Sequence, residues 1–276
     1  MKKKKILFIS QEITPYVQEN ELSNIGRHLP QGIQEGGKEI RTFMPKFGCI
    51  NERRNQLHEV IRLSGMNLII NENDHPLIIK VGSIQAARMQ VYFIDSEDFF
   101  QRKAIFKDKE TGKFFKDNDE RAIFFARGVL ETVKKLGWVP DIIHCHGWMT
   151  SLIPLYIKSS YSKEPIFENS KVVFSLYNNE FKPALNSDFA KKALMDDINE
   201  EDLARYNDSS FVGINKAAME MSDAVIQASE SLHPDLEQHF QSIDKPKLGY
   251  QTPEEYIDAY NNFYDEVLEP SEVLQD

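Results

Sequence analysis

Cysteine is nearly absent from this chain: Cys49 and Cys145 are the only two among 276 residues, and they form no C-x-x-C spacing. That excludes a disulfide framework and a cysteine-based zinc motif, and points to a reducing compartment, the cytoplasm. Long apolar runs are missing too, and none approaches the roughly 20 residues that a membrane-spanning helix needs. The start is basic, Lys2 to Lys5, but the apolar run after it ends at Ile9, and Gln11-Glu12 follows. A signal-peptide core needs about 7 to 15 apolar residues, so no such leader is expected. A basic excess is lacking as well: 33 lysines and arginines face 43 acids, for a net charge of −10. Nucleic-acid affinity comes largely from cations on phosphates, so a nucleic-acid partner is not expected. No internal repeat or low-complexity linker interrupts the chain. What is present is an ordinary folded composition, 41% hydrophobic and 28% charged, long enough to build a real core.

The order of patterns is that of an α/β protein. Lys5 to Ser10 is a short continuous apolar run, as in a strand buried on both faces. After a polar loop from Gln11 to Asn20, Leu22, Ile25, Leu29 and Ile33 recur at helical spacing, and Gly36-Gly37 closes that helix before a strand from Glu39 to Pro45. Three short strands, 68–70, 77–81 and 89–94, come so close together that they read as an inserted β-meander, with Asn71 to Pro76 as one of the connections. From Asp95 to Asn118 the chain reads as a surface loop. Asp119 to Leu136 is the clearest helix, ended by Gly137. Lys171 to Leu176 and Ala224 to Ala228 are further strands, and Asn215 to Met221 is helical. The expectation is a mostly parallel sheet with helices on both faces, forming one domain over residues 1–250. Residues 251–276 are expected to add a C-terminal helix, packed on the body, and an acidic tail.

Pro140 to Trp148, reading PDIIHCHGW, is the stretch around which the rest is organised. Two β-branched residues lead into two histidines, a glycine and a tryptophan, so a buried strand ends in a polar edge. Ligands of open parallel sheets sit at that carboxyl edge. His144 and His146 are expected on opposite faces of the strand, and no fourth ligand is evident, so no metal site is expected.

Several motifs, in order over most of the chain, resemble those of glycogen and starch synthases. Ser10 to Asn24 matches a loop of the type S-E-x-x-P-[FY]-x-K-x-G-G-L-x-D, with Leu29-Pro30 following. Arg41 to Gly48 is similar to R-x-x-x-P-x-[FY]-G, and Asp117-Asn118-Asp119-Glu120-Arg121-Ala122 to D-N-x-x-R-[FA]. The 140–148 stretch resembles P-D-[IV]-[IV]-H-x-H-D-W, with Gly147 in place of the aspartate. Ser175 to Asn178 stands at T-I-H-N, with Tyr177 in place of the histidine. The resemblance implies a Rossmann-like domain, the acceptor-side, N-terminal half of a GT-B glucosyltransferase. It also implies an α-glucan or nucleotide-sugar ligand and no separate cofactor. The residues carried over as substrate-binding are Glu12, Gln18, Asn24, Asp117, Asn118, Arg121, His146, Trp148, Tyr177 and Asn178. Of these, His146 resembles the histidine that hydrogen-bonds the donor sugar. Trp148 also suits the core, and Asp117, Asn118 and Arg121 also suit the capping of a helix N-terminus.

Bond breakage in a nucleotide sugar leaves a diphosphate, which helix N-terminal amides, close-approach glycines and a lysine can neutralise. At the K-x-G-G positions this chain has Gln18-Glu19-Asn20-Glu21: the cation and both glycines are gone and two carboxylates have arrived. Two like charges about 4 Å apart cost on the order of 4 kcal/mol at an effective dielectric near 20, roughly a thousandfold in binding. Two readings of the loop stand at this point: a solvated turn without a partner, or a site reshaped for a less anionic ligand. The expectation is a glycogen/starch synthase-like protein of α-glucan metabolism that is not competent alone, with no catalytic residue assigned. The alternative is a non-catalytic glucan- or protein-binding module. In either case a second GT-B half or a homo-oligomeric partner is a candidate to cover the face that the other half normally meets.

Overall fold

The computed structural model describes residues 3–269. Along the chain these form β1 (Lys5–Ser10), α1 (Glu21–Glu35), β2 (Glu39–Pro45), β3 (His58–Glu59), β4 (Met66–Ile70), β5 (Asn73–Ile84) and β6 (Met89–Asp95). There follow α2 (Asn118–Leu136), β7 (Ile142–His146), α3 (Ile153–Lys158), β8 (Lys171–Leu176), α4 (Phe189–Ala193), α5 (Glu200–Ala204) and α6 (Phe211–Met221). The last elements are β9 (Ala224–Gln227), α7 (Pro234–Ser242), β10 (Lys247–Leu248) and α8 (Tyr256–Leu268). The sheet order is β10-β9-β8-β7-β1-β2-β6-β5-β3, with β4 paired to β5. From β10 to β6 every pairing is parallel; β3, β4 and β6 pair antiparallel with β5. A mostly parallel sheet with an inserted meander is therefore the architecture.

Alternate residues of β1 explain why helices cover both faces. Ile6 and Phe8 pack with Leu29 and Ile33 of α1 and with Tyr260, Phe263 and Tyr264 of α8. Leu7 and Ile9 join the larger core on the other face, which holds Ile123 and Phe124 of α2, Leu155 of α3 and Ile214 of α6. Burying both faces is what the unbroken apolar run of β1 requires. Helix α8 is thus part of the main body; residues 270–276, where the acidic tail was expected, lie outside the described residues. Among the described residues no helix is long and apolar enough to cross a membrane.

Two expectations need correction. Strand β5 begins at Asn73 rather than after Pro76, because Asn71 and Glu72, with φ of 50° and 66°, turn the chain in two residues. Such a left-handed pair matches the twist of a tight hairpin. The segment between β6 and α2 is no mere surface loop. Phe99, Phe100 and Ala104 are buried, and Phe106 and Phe114 pack on Trp148 with ring centroids at 4.9 and 6.1 Å. Its polar residues disguise an aromatic cover over the core. Strand β10 and helix α7 were not anticipated at all.

Candidate functional site

From β1 the chain moves to β2 on one side, and after β6 it returns to place β7 on the other side of β1. The reversal leaves a crevice at the carboxyl ends of β1 and β7, where open α/β sheets bind ligands. The 11–20 loop lies across it and is held by its own polar groups. The Gln11 N–H donates to the His146 carbonyl at 3.1 Å, and the Met149 N–H donates to Gln11 Oε1 at 3.2 Å. Both carboxylate oxygens of Glu12 are engaged, one by Gln11 Nε2 at 3.0 Å and the other by Asn20 Nδ2 at 2.7 Å. Asn20 caps α1: its Oδ1 accepts from the Ser23 N–H at 2.8 Å, while Ser23 Oγ accepts from the Asn20 N–H at 2.9 Å. That reciprocal box uses donors at the helix end that a phosphate would otherwise take.

The two histidines lie on the same face of β7, contrary to expectation. Side chains two apart along a strand share a face, and the imidazole centroids are 3.8 Å apart. Both rings are buried. His144 Nδ1 lies 2.6 Å from the Tyr264 hydroxyl and Nε2 lies 2.7 Å from Ser175 Oγ; His146 Nδ1 lies 2.7 Å from the Tyr177 hydroxyl. Burial holds His144 well below the ordinary imidazole range, with His146 adding to the effect, and pushes His146 down to about 3. Burial likewise raises the Tyr177 phenol well above its usual range. At neutral pH these are two neutral hydrogen-bonded groups in ring contact, Tyr264–His144–Ser175 on the α8 side and His146–Tyr177 at the crevice. Among the described residues no three histidine, cysteine, aspartate or glutamate side chains converge on a metal position.

The ten residues implied by the resemblance fall into separate places. Glu12, Tyr177 and Asn178 line one pocket of about 260 Å³ together with Asn20, Glu21 and Leu22. The Asn178 N–H donates to Ser229 Oγ at 2.9 Å, and the Ser229 hydroxyl donates to the Glu21 carboxylate. Beneath this pocket lies His146. Asn24 faces a neighbouring cleft of about 600 Å³ between α1 and α8, which also includes Glu21. Gln18 turns to a third cleft, about 510 Å³, with Tyr16, Cys49, Lys107 and Lys109. Trp148 is 2% exposed and presents its ring to Phe106, Phe114 and Phe181 rather than to the crevice.

Asp117, Asn118 and Arg121 are occupied with holding the aromatic segment. Asp117 stands at the N-cap of α2 but makes no side-chain cap; its carboxylate takes a two-pronged pair from Arg102 at 2.9 and 2.6 Å. Arg121 is wholly buried and donates to the carbonyls of Phe99 and Ile105 and to Asn118 Oδ1 at 2.9, 2.6 and 2.6 Å. Burial, with Arg102 nearby, brings its guanidinium down to about 9, so it stays charged at neutral pH. Asp95 is buried against Lys80 at 2.8 Å and lines none of these pockets. Reading the sequence missed Asn20, Glu21 and Tyr256 as lining residues. The cap signal of Asn20 and Ser23 was available; the approach of Tyr256 to α1 was not, because it joins segments over 200 residues apart.

Gly147 has a physical reason to replace the aspartate of the pattern. Its φ of +89° and ψ of 160° suit only glycine, and a Cβ there would meet Gln11 Oε1 and Leu22 Cδ1 at 2.8 Å each. The Gln11 side chain fills the space. Restoring the residue as Gly147→Asp is expected to destabilise the fold by about 1–3 kcal/mol from the backbone alone, before any clash. Urea denaturation of the two proteins checks this; an unchanged midpoint would show that the crevice relaxes freely.

A mostly parallel sheet with helices on both faces and a crevice at its switch point defines the class: a Rossmann-like half of the GT-B type. The chain belongs to the starch synthase catalytic domain family, whose sequence model matches residues 5–245. It is 36% identical over 234 residues to a glycogen synthase of Chlorobium luteolum, covering 84% of this chain and 48% of that protein. It is 40% identical over 174 residues to a glycogen synthase of Chlorobaculum tepidum, covering 63% and 36%. The chain thus spans about half the length of the first of these relatives, or less. Its fold is similar to that of the catalytic domain of starch synthase IV from Arabidopsis thaliana bound to ADP and acarbose. There the TM-score is 0.72 at 19% identity, over 91% of this chain and 52% of that one.

Proposed function

We propose that this chain works in α-glucan metabolism as a glucan-binding protein that does not transfer glucose by itself. Family membership supports the glucan; the amino end of α1 supports the loss of the donor. There Asn20 and Ser23 satisfy each other, Glu21 sits in the first turn, and Glu12 and Glu19 add charge of the same sign. A diphosphate would have to displace the cap and approach these carboxylates without a lysine at the loop. An uncharged glucan meets neither obstacle. A second polypeptide carrying donor contacts would supply what this loop does not, and its capture in pull-downs would extend the proposal to a two-chain transferase.

Two measurements test the reading. Incubation with radiolabelled ADP-glucose or UDP-glucose and maltooligosaccharide is expected to give no incorporation above the protein-free control. Incorporation above it would overturn the claim about the donor. Calorimetric titration with maltoheptaose is expected to give saturable binding, and a flat titration would overturn the claim about the glucan.

A further inference from the structure

We infer that the cleft between α1 and α8 is a binding subsite for an uncharged α-glucan chain. The inference rests on the proposed glucan reading and goes beyond it by naming a place and a mode of recognition. One wall carries Tyr250, Gln251 and Tyr256; the other carries Glu21, Asn24 and His28. Tyr260, buried, closes the floor, with its ring edge-on to Tyr256 at 5.8 Å and 83°. At about 600 Å³ the cleft is the size of sites that enclose small molecules.

Its chemistry selects against phosphate and for a polyol. Neither lysine nor arginine lines it, whereas Glu19 and Glu21 both do. An anion entering there meets like charge with no cation to offset it. A sugar ring instead offers an apolar face to an aromatic side chain and hydroxyls to carboxylate and amide groups, which together form this lining. Burial raises the Tyr256 phenol to about 12, so it remains a neutral hydroxyl at working pH. Glu21 also lines the pocket that holds Glu12, Tyr177 and Asn178, so the cleft adjoins the switch-point crevice.

The tyrosine wall is held firmly, as a binding surface must be. Gly32 lets α8 approach α1 closely: a Cβ there would lie 2.5 Å from Ile257 Cγ2. Lys38, in the turn after α1, donates to Asn261 Oδ1 at 2.7 Å and pairs with Asp265 at 3.0 Å. From beneath, Tyr264 meets His144 at 2.6 Å. The wall itself comes from residues after 245, beyond the part of the chain that the family model matches.

The test is calorimetric titration of the full chain with maltoheptaose, and separately with ADP, for the wild type and four variants. Tyr256→Ala and Tyr250→Ala are expected to weaken maltoheptaose binding about tenfold each, the scale of one lost aromatic contact. Tyr256→Trp is expected to retain it, and Lys109→Ala, in the separate cleft with Gln18, to leave it unchanged. ADP is expected not to bind. Thermal melts are run alongside; if Tyr256→Ala melts early, Tyr250→Ala, outside any helix, decides. Wild-type binding that both alanine variants keep would overturn the subsite while leaving the glucan reading intact. So would binding lost in Lys109→Ala. Failure of the wild type to bind maltoheptaose would overturn both. ADP that competes with maltoheptaose would overturn the claim that the ligand is uncharged.

Discussion

Arg121→Met is expected to lower stability by about 3–5 kcal/mol, because three acceptors lose their donor at about 1–3 kcal/mol each and the recovered desolvation of the guanidinium offsets part of the sum. The guanidinium is the shared donor for the Phe99 and Ile105 carbonyls and for Asn118 Oδ1, all on or beside the aromatic segment that covers Trp148. Methionine fills much of the volume but donates nothing, so three acceptors lose their donor, those of Phe99 and Asn118 buried and that of Ile105 partly so. Removing a buried charge recovers part of its desolvation cost, which keeps the expected loss from being larger. For a chain of this size each kcal/mol corresponds to roughly 2–4 °C in melting midpoint, so a fall of roughly 6–20 °C is expected. Arg121→Lys is expected not to rescue it, because one ammonium cannot reproduce a planar fork of donors. Proteolysis between β6 and α2 should increase in step. A melting curve superimposable on that of the wild type would mean that the segment is held by its aromatic rings alone.

The second large effect is with pH. The folded-state pKa of His146 is held down to about 3 by burial, and that of His144 is lowered in the same direction. In the unfolded chain both return to about 6.5. Between those limits the unfolded chain binds more protons, so stability rises with pH across the window and is lost as pH falls through 6.5. Each histidine contributes about 1.4 kcal/mol per pH unit there. From pH 7.5 to 5.0 His146 alone should cost about 2 kcal/mol, and His144 adds to it. Urea denaturation at the two pH values measures the difference. His146→Gln should remove one proton's worth of slope while still reaching the Tyr177 hydroxyl. His239 is also lowered, through burial, but is less enclosed and so contributes less. Equal unfolding free energies at both pH values would mean that the imidazole pair takes up protons without leaving the fold.

The elements that were legible are those whose signal is local. The continuous run of β1, the helical stripe of α1, the Glu39–Pro45 strand and the Gly137 stop after α2 each depend on a few consecutive residues. The faces of His144 and His146 were legible as well, since a separation of two along a strand puts them on one side; the expectation was in error. The burial of the segment after Asp95 was not legible. Its charged residues stay in solvent while Phe99, Phe100 and Phe106 turn inward, and Arg121 ties it down from a different element.

What the order of residues determined without coordinates is the lineage, the α/β architecture and the anionic character of the 18–21 loop. Motif identity, side-chain periodicity and formal charge are properties of the chain whatever its conformation. Only the tertiary structure decided which of the ten carried-over residues meet. It put Trp148 and Arg121 in the interior, set Glu12 beside Tyr177 and Asn178, and brought Tyr256 to face Asn24 across a cleft. Those outcomes depend on how β1, β8 and α8 stack on one another, and stacking of elements far apart in sequence leaves no mark in any local stretch.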